Sequence, residues 1–245
     1  MIFKMKDFKS MQLKLFDDSG FVIGKTEVST SLKNKKKHED PFHLEWLEGM
    51  TFTDFGMPVI DPYKGSWPAS IIPFHEARAD YYKNVSSTAF PHFYIDDVHF
   101  LCVLHQLPKY TAMLTRFLAI IGLDFSIKMD MPEPVKMHNV YLNKVTTRYF
   151  QLHGLSVIPN IVWADPRGYD YCFAGFPTNS VVAVNSMGII GNSRSVFFWQ
   201  KGYGEMLKRI HPTHILCYGD KIDGEDESIS TYYPNNHLNR MRYGR

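Results

Sequence analysis

Acidic and amide side chains follow several apolar runs of this chain, and each run is long enough for a buried strand. These side chains are Asp97, Asp130, Asp165, Asn185 and Asp220. Carboxylates that converge on one point can share a proton as general acid and base, or bind a divalent cation through their oxygens. Asp and Asn are also common in turns, because their side chains bind nearby backbone N–H groups. The pattern alone therefore leaves catalytic and structural roles open.

The densest group of reactive side chains lies in residues 158–175. An apolar run ends there at Trp163 and Asp165, and the following turn carries Arg167 and Asp170 into an aromatic segment. An aromatic ring beside a carboxylate is typical of sites that bind sugars or bases, and an arginine fork can hold an anion. The alternative is a buried ion pair that closes the strand end beneath an aromatic lid.

A glycine-rich segment follows the run that ends at Asn185. It contains Gly188 and Gly191 and leads through Arg194 into a helical pattern. Backbone N–H groups in such a loop, with an arginine beside them, can hold a phosphate. The glycine spacing matches neither a P-loop nor a dinucleotide fingerprint, so an ordinary turn is the alternative.

These patterns predict two sets of site residues. The candidate catalytic residues are Asp165, Asp130, Asp170, Asp97 and Asp220. The candidate ligand-binding residues are Trp163, Arg167, Asn160, Asn185, Gly188 and Arg194. No His-Glu-x-x-His motif and no Cys-x-x-Cys pair occurs, so metal binding by His and Cys is weakly supported and metal ligands stay unassigned. We expect no organic cofactor, and a divalent metal is left open.

Six apolar runs are candidate strands, and helical patterns separate most of them. The runs cover residues 69–75, 92–97, 125–130, 157–165, 181–185 and 214–220, and the helical patterns cover residues 110–121, 135–153 and 193–210. This alternation indicates a mostly parallel sheet with crossover helices, in which every strand delivers its carboxyl end to the same side. About six strands are too few for a complete eight-stranded barrel, so we predict an α/β fold with an incomplete (βα) barrel. A doubly wound open sheet is the alternative.

Composition divides the chain into three parts. Residues 1–60 form a lysine-rich extension with a candidate hairpin, residues 61–220 form the α/β core domain, and residues 221–245 form a polar tail. Through Lys37 the chain has nine lysines against four acidic residues, and its last residues are rich in arginine. Such basic ends can contact DNA or an anionic surface, and a solvated, disordered start is the alternative. The basic residues in question are Lys33, Lys35, Lys36, Lys37, Arg240, Arg242 and Arg245.

The expected cellular setting follows from the cysteines and from the hydrophobic pattern. Three cysteines without a paired motif argue against a disulfide framework and for a reducing, cytoplasmic setting. No run of about 18 apolar residues occurs, and the first residues lack the apolar core of a signal peptide. We therefore expect a soluble cytoplasmic protein without a membrane span.

Residues 159–177 contain a distinctive motif, Pro159-Asn160-Ile161-Val162-Trp163-Ala164-Asp165, then Arg167, Tyr169-Asp170-Tyr171-Cys172-Phe173, Gly175 and Pro177. This motif resembles a family of bacterial, phage and plasmid proteins, domain-of-unknown-function family 4417. The segments 184–188 and 218–219 fit the same family, and the resemblance covers about residues 70–220. The chain departs from the family pattern at Gly168, where a hydroxyl residue is expected, and in having tyrosines for phenylalanines.

The resemblance implies an accessory protein of a phage or mobile element, a setting in which replication, recombination and host-interference roles are common. On this basis we predict a protein that acts through contacts with a phage or host protein, with DNA, or with both. The alternative is a hydrolase, metal-assisted or acid–base, that uses strand-end carboxylates on a sugar- or nucleotide-like ligand. The residues do not decide whether the protein is an enzyme.

Overall fold

The computed structural model describes residues 43–235 in full and the backbone of residues 3–4. The hairpin predicted in residues 1–60 lies outside these ranges, as do the lysines and arginines predicted to contact DNA. The strands are β1 (Phe3–Lys4), β2 (Thr51–Phe52), β3 (Ile71–Pro73), β4 (Phe90–His92), β5 (Ile120–Ile121), β6 (Val157–Ile158), β7 (Val181–Asn185), β8 (His214–Tyr218) and β9 (Ser230–Tyr233). The helices are α1 (Phe74–Tyr82), α2 (Leu101–His105), α3 (Leu107–Leu114), α4 (Glu133–Leu152), α5 (Tyr169–Phe173) and α6 (Ser193–Ile210).

Parallel pairing dominates the described strands. β3 pairs with β4, β5 pairs with β6, and β7, β8 and β9 form a three-stranded sheet, all of them parallel. β1 and β2 pair antiparallel. At least one helix lies between each two successive strands from β3 to β8, so the predicted α/β architecture with crossover helices is confirmed.

The predicted single sheet of six strands is not found in residues 43–235, and neither an incomplete barrel nor a doubly wound sheet is found there. The hydrogen-bonded sheets contain two or three strands, and β3 to β6 are only two or three residues long. Pro73 in β3 and Pro91 in β4 have no N–H and cannot donate to a ladder, which keeps that pairing short. One isolated parallel bridge, between Asn160 and Ala183, connects β6 to β7.

One helix and two strands differ from the sequence prediction; the strand predicted over 92–97 is β4, which ends at His92. α3 ends at Leu114 and does not continue through Ile121, because Ile120–Ile121 form β5. The apolar residues from Ala119 to Leu123 are at most 1% exposed, whereas a helix on the surface would leave one face open. Residues 125–130, predicted as a strand, form none, so the strand of this region lies one segment earlier.

Strands β7 and β8 are buried on both faces. Val182 and Val184 join a cluster with Met206 of α6, while Ala183 and Leu216 join a second cluster with residues of β5 and β6. This follows from strand geometry, because successive side chains point to opposite faces. A third cluster packs α1, α3 and α4 together.

Segments on both sides of the predicted core also contribute to it. β9 lies in the segment predicted as a polar tail, yet it extends the β7–β8 sheet. Its Tyr233 hydroxyl donates a hydrogen bond to the Pro68 carbonyl at 2.6 Å, which ties β9 to the chain just before β3. On the amino-terminal side, Met50 and Phe52 are buried.

The cysteines form no disulfide bond. Cys102, Cys172 and Cys217 are free thiols. Burial raises the pKa of Cys172 and of Cys217 to about 12, so both stay protonated and behave as small apolar side chains. No helix in the described part of the chain is long and apolar enough to cross a membrane.

Candidate active site

Asp124 is the acidic residue that follows β5. Its Oδ1 accepts a hydrogen bond from Asn160 Nδ2 at 2.8 Å, and its Oδ2 accepts one from Asn185 Nδ2 at 2.9 Å. Asn160 follows β6 and Asn185 ends β7, so three strand ends meet at one carboxylate. Parallel strands deliver their carboxyl ends to the same edge, which is why residues far apart in sequence come together here.

Both amides are held with their NH2 groups toward Asp124. Asn160 Oδ1 accepts a hydrogen bond from the Tyr94 hydroxyl at 3.0 Å, and Asn185 Oδ1 accepts one from the Met187 N–H at 2.9 Å. Because each Oδ1 already faces a donor, the hydrogen-bond network assigns the NH2 end of each amide to Asp124. Asn160 is buried, so turning its amide over would leave polar atoms unsatisfied.

Burial raises the pKa of the Asp124 carboxyl to about 6. The hydrogen bonds from Asn160 and Asn185 oppose this rise because they stabilise the carboxylate, and the negative charge of Asp97 adds to it. A carboxyl group with such a pKa can accept and release a proton near neutral pH. Acids with shifted pKa values at a cavity are typical of catalytic sites.

Asp124 lies on the wall of a cavity of about 670 Å³, a volume in the range of small-molecule sites. The wall combines three chemical types of side chain. Aromatic rings come from Trp163, Phe198 and Trp199, cations from Lys128 and Arg194, and carboxyl or amide groups from Asp124, Asp130, Asn185 and Asn192. The cavity therefore offers apolar ring surface, positive charge and a carboxyl group with a raised pKa to the same ligand.

The Trp163 indole is held against α6. Its Nε1 donates a hydrogen bond to the Trp199 carbonyl at 3.2 Å, and the two indole rings lie 5.4 Å apart. A Cβ atom at Gly202 would overlap the Trp163 ring, so glycine is what allows the helix and the indole to approach this closely. The partly exposed ring is thus a positioned surface for a planar ligand.

The amino terminus of α6 supplies a positive end to the same cavity. Asn192 caps this helix, because its Oδ1 accepts hydrogen bonds from the N–H groups of Arg194 and Ser195 at 3.0 and 3.1 Å. The Arg194 guanidinium lies 5.8 Å from the Phe198 ring, and both side chains line the cavity. An exposed guanidinium beside a helix amino terminus favours an anionic group.

Asp165 lies outside the cavity wall, in a buried ion pair. Its carboxylate accepts hydrogen bonds from Lys136 Nζ and from Nε and Nη2 of Arg167, each at 2.8 Å. It also accepts the Arg167 backbone N–H at 3.1 Å. The hydrogen bonds from Arg167 hold the pKa of Asp165 well below its usual range, and Lys136 acts in the same direction. This geometry favours the structural alternative that the sequence left open, an ion pair closing the strand end.

The other predicted acids differ in position: Asp130 lines the cavity, Asp97 lies behind its wall, and Asp170 and Asp220 are on the surface. Asp130 is exposed and lines the cavity. Asp97 accepts hydrogen bonds from the Ser126 N–H and hydroxyl at 3.2 and 3.0 Å, and Ser126 is itself a wall residue. Asp170 and Asp220 are exposed and do not line the cavity; Asp170 pairs with an arginine of α6 at 2.9 Å.

The predicted ligand-binding residues mostly meet at this site. Trp163, Asn185, Gly188 and Arg194 line the cavity, and Asn160 binds Asp124. Arg167 does not line it, because its guanidinium is engaged by Asp165. The side-chain types that the sequence indicated for ligand binding are thus present, and the partly buried carboxyl group that shares the cavity with Trp163 and Asn185 is that of Asp124, not Asp165.

Sequence reasoning missed Asp124, the cavity-lining acid that accepts hydrogen bonds from Asn160 and Asn185. The run Ala119-Ile120-Ile121-Gly122-Leu123-Asp124 has the pattern that marked the other strands, apolar residues ending in an acid. The helix predicted over residues 110–121 includes the first residues of this run, so the run was not recognised as a strand. Phe198 and Trp199 were missed as wall residues because nothing in a helical pattern shows which face meets a cavity.

Within residues 43–235 no group of three or more His, Cys, Asp or Glu side chains could hold a metal ion. Asp124 is engaged by two amide N–H donors, so part of the lone-pair capacity that a cation would use is already taken. Proton transfer is the chemistry that this carboxyl supports directly.

The fold and the site define an α/β protein with a cavity at the carboxyl ends of parallel strands, and one partly buried acid, Asp124, lies on the cavity wall. Residues 50–234 match the family described as Domain of unknown function (DUF4417), and the chain belongs to this family. The resemblance predicted from the motif is therefore confirmed, over a longer stretch than residues 70–220.

Two phage proteins are similar to this chain. The Gene 1 protein of Mycobacterium phage D29 is 33% identical over 152 residues, which cover 62% of this chain and 56% of that protein. The Gene 1 protein of Mycobacterium phage L5 is 33% identical over 138 residues, which cover 56% of this chain and 60% of that protein. The chain thus spans little more than half the length of these relatives, and its family is phage-associated. No solved structure matches the chain.

Proposed function

We propose that this phage-associated protein is an acid–base hydrolase in which Asp124 transfers the proton. One observation carries the proposal: Asp124 has a carboxyl pKa of about 6, lies at a cavity, and is held by two oriented amides. Asp165, one of the candidate catalytic acids predicted from the sequence, is neutralised by Lys136 and Arg167.

The proposed chemistry uses the two protonation states of Asp124. Above its pKa the carboxylate accepts a proton from a water molecule, which then attacks the ligand. The protonated carboxyl returns that proton to the leaving group as the bond breaks. Each carboxylate oxygen accepts one amide hydrogen and keeps further lone-pair capacity for the proton, while the amides fix its direction.

The cavity favours a ligand that combines a ring with an anionic group. The ring would lie against Trp163, and the anion would meet Arg194 and the amino terminus of α6. Nucleotides and phosphorylated sugars have this combination. The proposal needs only protein side chains, so we expect turnover to survive treatment with EDTA; loss of turnover that added Mg²⁺ or Mn²⁺ restores would assign the chemistry to a metal instead.

The test is turnover of a panel of nucleotides and phosphorylated sugars by the full chain, by Asp124→Asn and by Asp223→Asn. Asp223 is an exposed acid away from the cavity, so this control removes the same charge without changing the site. We expect Asp124→Asn to lower turnover by about 100-fold or more, and Asp223→Asn to leave it unchanged. Full turnover by Asp124→Asn would sink the proposal, and failure of the wild-type protein to turn over any member of the panel would count against it.

Binding is tested apart from turnover, by quenching of tryptophan fluorescence. Arg194→Gln should weaken binding of a nucleoside monophosphate about tenfold and leave binding of the corresponding nucleoside unchanged, because only the former has the anion. Equal effects on both ligands would show that Arg194 does not bind the anionic group. A folding defect in Asp124→Asn would show as loss of nucleoside binding, which separates it from loss of chemistry.

A second candidate is an accessory role in the infected cell through a phage or host protein, or through DNA. The phage relatives favour it, together with the basic residues at both ends of the sequence. We place this role in the host cytoplasm, because the three cysteines are free thiols. The proposed DNA contacts are Lys33, Lys35, Lys36, Lys37, Arg240, Arg242 and Arg245, all outside the described residues.

The DNA contacts are tested by measuring affinity for duplex DNA at several salt concentrations. Replacing the four lysines by Ser should weaken binding and reduce the dependence of log K on log salt, since each lost phosphate contact lowers that slope by about 1. Replacing Lys109, Lys201, Lys208 and Lys221 in the same way is the control, because these lysines lie elsewhere on the chain. No binding by the wild-type protein, or equal losses in both variants, would contradict the proposed contacts.

A further inference from the structure

A second cavity, of about 720 Å³, lies beside the first and shares Met187 with it. It forms where the carboxyl ends of β3, β4, β8 and β9 come together. Glu76 and Asp96 are on its wall, and no Lys or Arg among residues 43–235 lines it. Among the described residues, the wall of the second cavity thus carries two carboxylates together with the imidazoles of His75, His92 and His99, whereas Lys128 and Arg194 line the first.

Three packed rings form the buried part of the second cavity. His92, Tyr94 and Tyr218 are each at most 5% exposed. The ring centroids lie 5.2 Å apart for His92 and Tyr94, 4.6 Å for His92 and Tyr218, and 4.8 Å for Tyr94 and Tyr218. Tyr232 and Tyr233 add further rings to the wall. Electron-rich ring faces next to carboxylates attract organic cations.

His92 presents a hydrogen-bond donor without an acceptor. Its Nδ1 accepts the Tyr94 backbone N–H at 3.1 Å, so the neutral imidazole has its own hydrogen on Nε2. Burial, helped by the nearby His75, lowers the pKa of His92 to about 3, which keeps the ring neutral at pH 7. In the part of the chain that the structure describes, no group accepts the Nε2 hydrogen. His92 lies on the cavity wall, so a ligand oxygen in the cavity could accept this hydrogen.

We propose that the second cavity binds a small organic amine as its ammonium ion, with a hydrogen-bond acceptor at the end of the molecule away from the charge. The ammonium group pairs with Glu76 and Asp96 and lies against the tyrosine rings. The acceptor takes the Nε2 hydrogen of His92. This site is separate from the chemistry proposed for Asp124, and either proposal can fail without the other.

Tyramine is the probe for this site, because it has an ammonium group, a ring and a phenol oxygen. 4-Ethylphenol is the matched neutral probe and 4-hydroxyphenylacetate the anionic one. In calorimetric titration of the full chain near neutral pH, we expect saturable binding of tyramine and at least about tenfold weaker binding of both other probes. Glu76→Gln should weaken tyramine binding about fivefold or more, while Glu48→Gln, at an exposed position outside both cavities, should have no effect.

Equal affinity for tyramine and 4-ethylphenol would overturn the proposal, as would no saturable binding to the folded wild-type protein. Displacement of tyramine by a nucleotide would place both ligands in one cavity and would also overturn it. If Glu76→Gln lowers the melting temperature, Asp96→Asn takes its place, because Asp96 is exposed and its loss leaves the core intact. Unchanged tyramine affinity in a folded charge variant would rule out the carboxylates as the cation partners.

Discussion

The Asp124 Oδ2 and the Asn185 Nδ2 lie 2.9 Å apart, although the two residues are separated by 61 positions in sequence. β6 lies between their strands, and Asn160 at its end binds the other carboxylate oxygen of Asp124. Side chains thereby join strands that share few backbone hydrogen bonds. The same network positions the candidate acid and stabilises the fold. Each experiment on it therefore needs a measurement of stability as well as one of turnover or binding.

The free energy of unfolding should depend on pH through Asp124. Its pKa in the folded protein, about 6, lies above the ordinary value of 3.8, so the folded state binds the proton more tightly than the unfolded chain. This contribution to stability is fully present below about pH 4 and is lost as the pH rises through about 6.

Urea denaturation of the wild-type protein and of Asp124→Asn measures this effect. The difference in unfolding free energy between the wild-type protein and Asp124→Asn should change by roughly 2 kcal/mol between about pH 4 and pH 7. The wild-type protein should become less stable relative to the variant as the pH rises. A difference that stays constant across this range would contradict the raised pKa of Asp124.

Two substitutions should shift the pKa of Asp124 in opposite directions. Asn185→Ala removes a hydrogen bond that stabilises the carboxylate, so the pKa should rise further above 6. Asp97→Asn removes a nearby negative charge, so the pKa should fall. The pKa of Asp124 is measured by NMR titration of its carboxyl group. Once a substrate is known, the acid limb of the pH–rate profile gives a second measurement of the same pKa. Shifts of the same sign in both variants would show that the network around Asp124 is not as described.

Asp165→Asn should reduce stability and leave ligand affinity intact. The substitution leaves the Lys136 ammonium, which is 1% exposed, with Glu133 as its charged partner at 3.1 Å. Breaking a buried ion pair costs about 3 to 5 kcal/mol, so the urea midpoint should fall clearly. Asp130→Asn is the matched control for stability, since Asp130 is exposed and the urea midpoint of this variant should equal that of the wild-type protein. A stable Asp165→Asn protein without turnover would instead identify Asp165 as catalytic.

Two glycines of α6 form a matched pair for testing the Trp163 surface. A Cβ atom at Gly202 would overlap the indole, whereas nothing lies within 4 Å of one at Gly204. Gly202→Ala should displace Trp163, lower the melting temperature and weaken binding of ring-bearing ligands. Gly204→Ala should stabilise the protein by roughly 0.5 to 1 kcal/mol, because alanine is the better helix former. Similar melting temperatures and fluorescence spectra for the two variants would show that contact with Gly202 does not position the ring.

Much of the architecture could be predicted because the signals are local. The apolar run 181–185 and the amphipathic pattern 193–210 correspond to β7 and α6. β5 could not be recognised, since a strand of two residues directly after a helix continues the apolar pattern of that helix. The pairing of strands into sheets of two and three was also beyond the sequence, because it depends on contacts between distant segments.

The sequence by itself determined the family, the alternation of strands and helices, and the kinds of side chain at the strand ends. Only the tertiary structure decided which acid can take part in proton transfer. Asp124 and Asp165 both follow apolar segments, but Lys136, 29 positions from Asp165, neutralises that carboxylate, whereas Asp124 meets two neutral amides. The protonation of a carboxyl depends on burial and on the charges within a few ångströms, and no local pattern records which distant residues those will be.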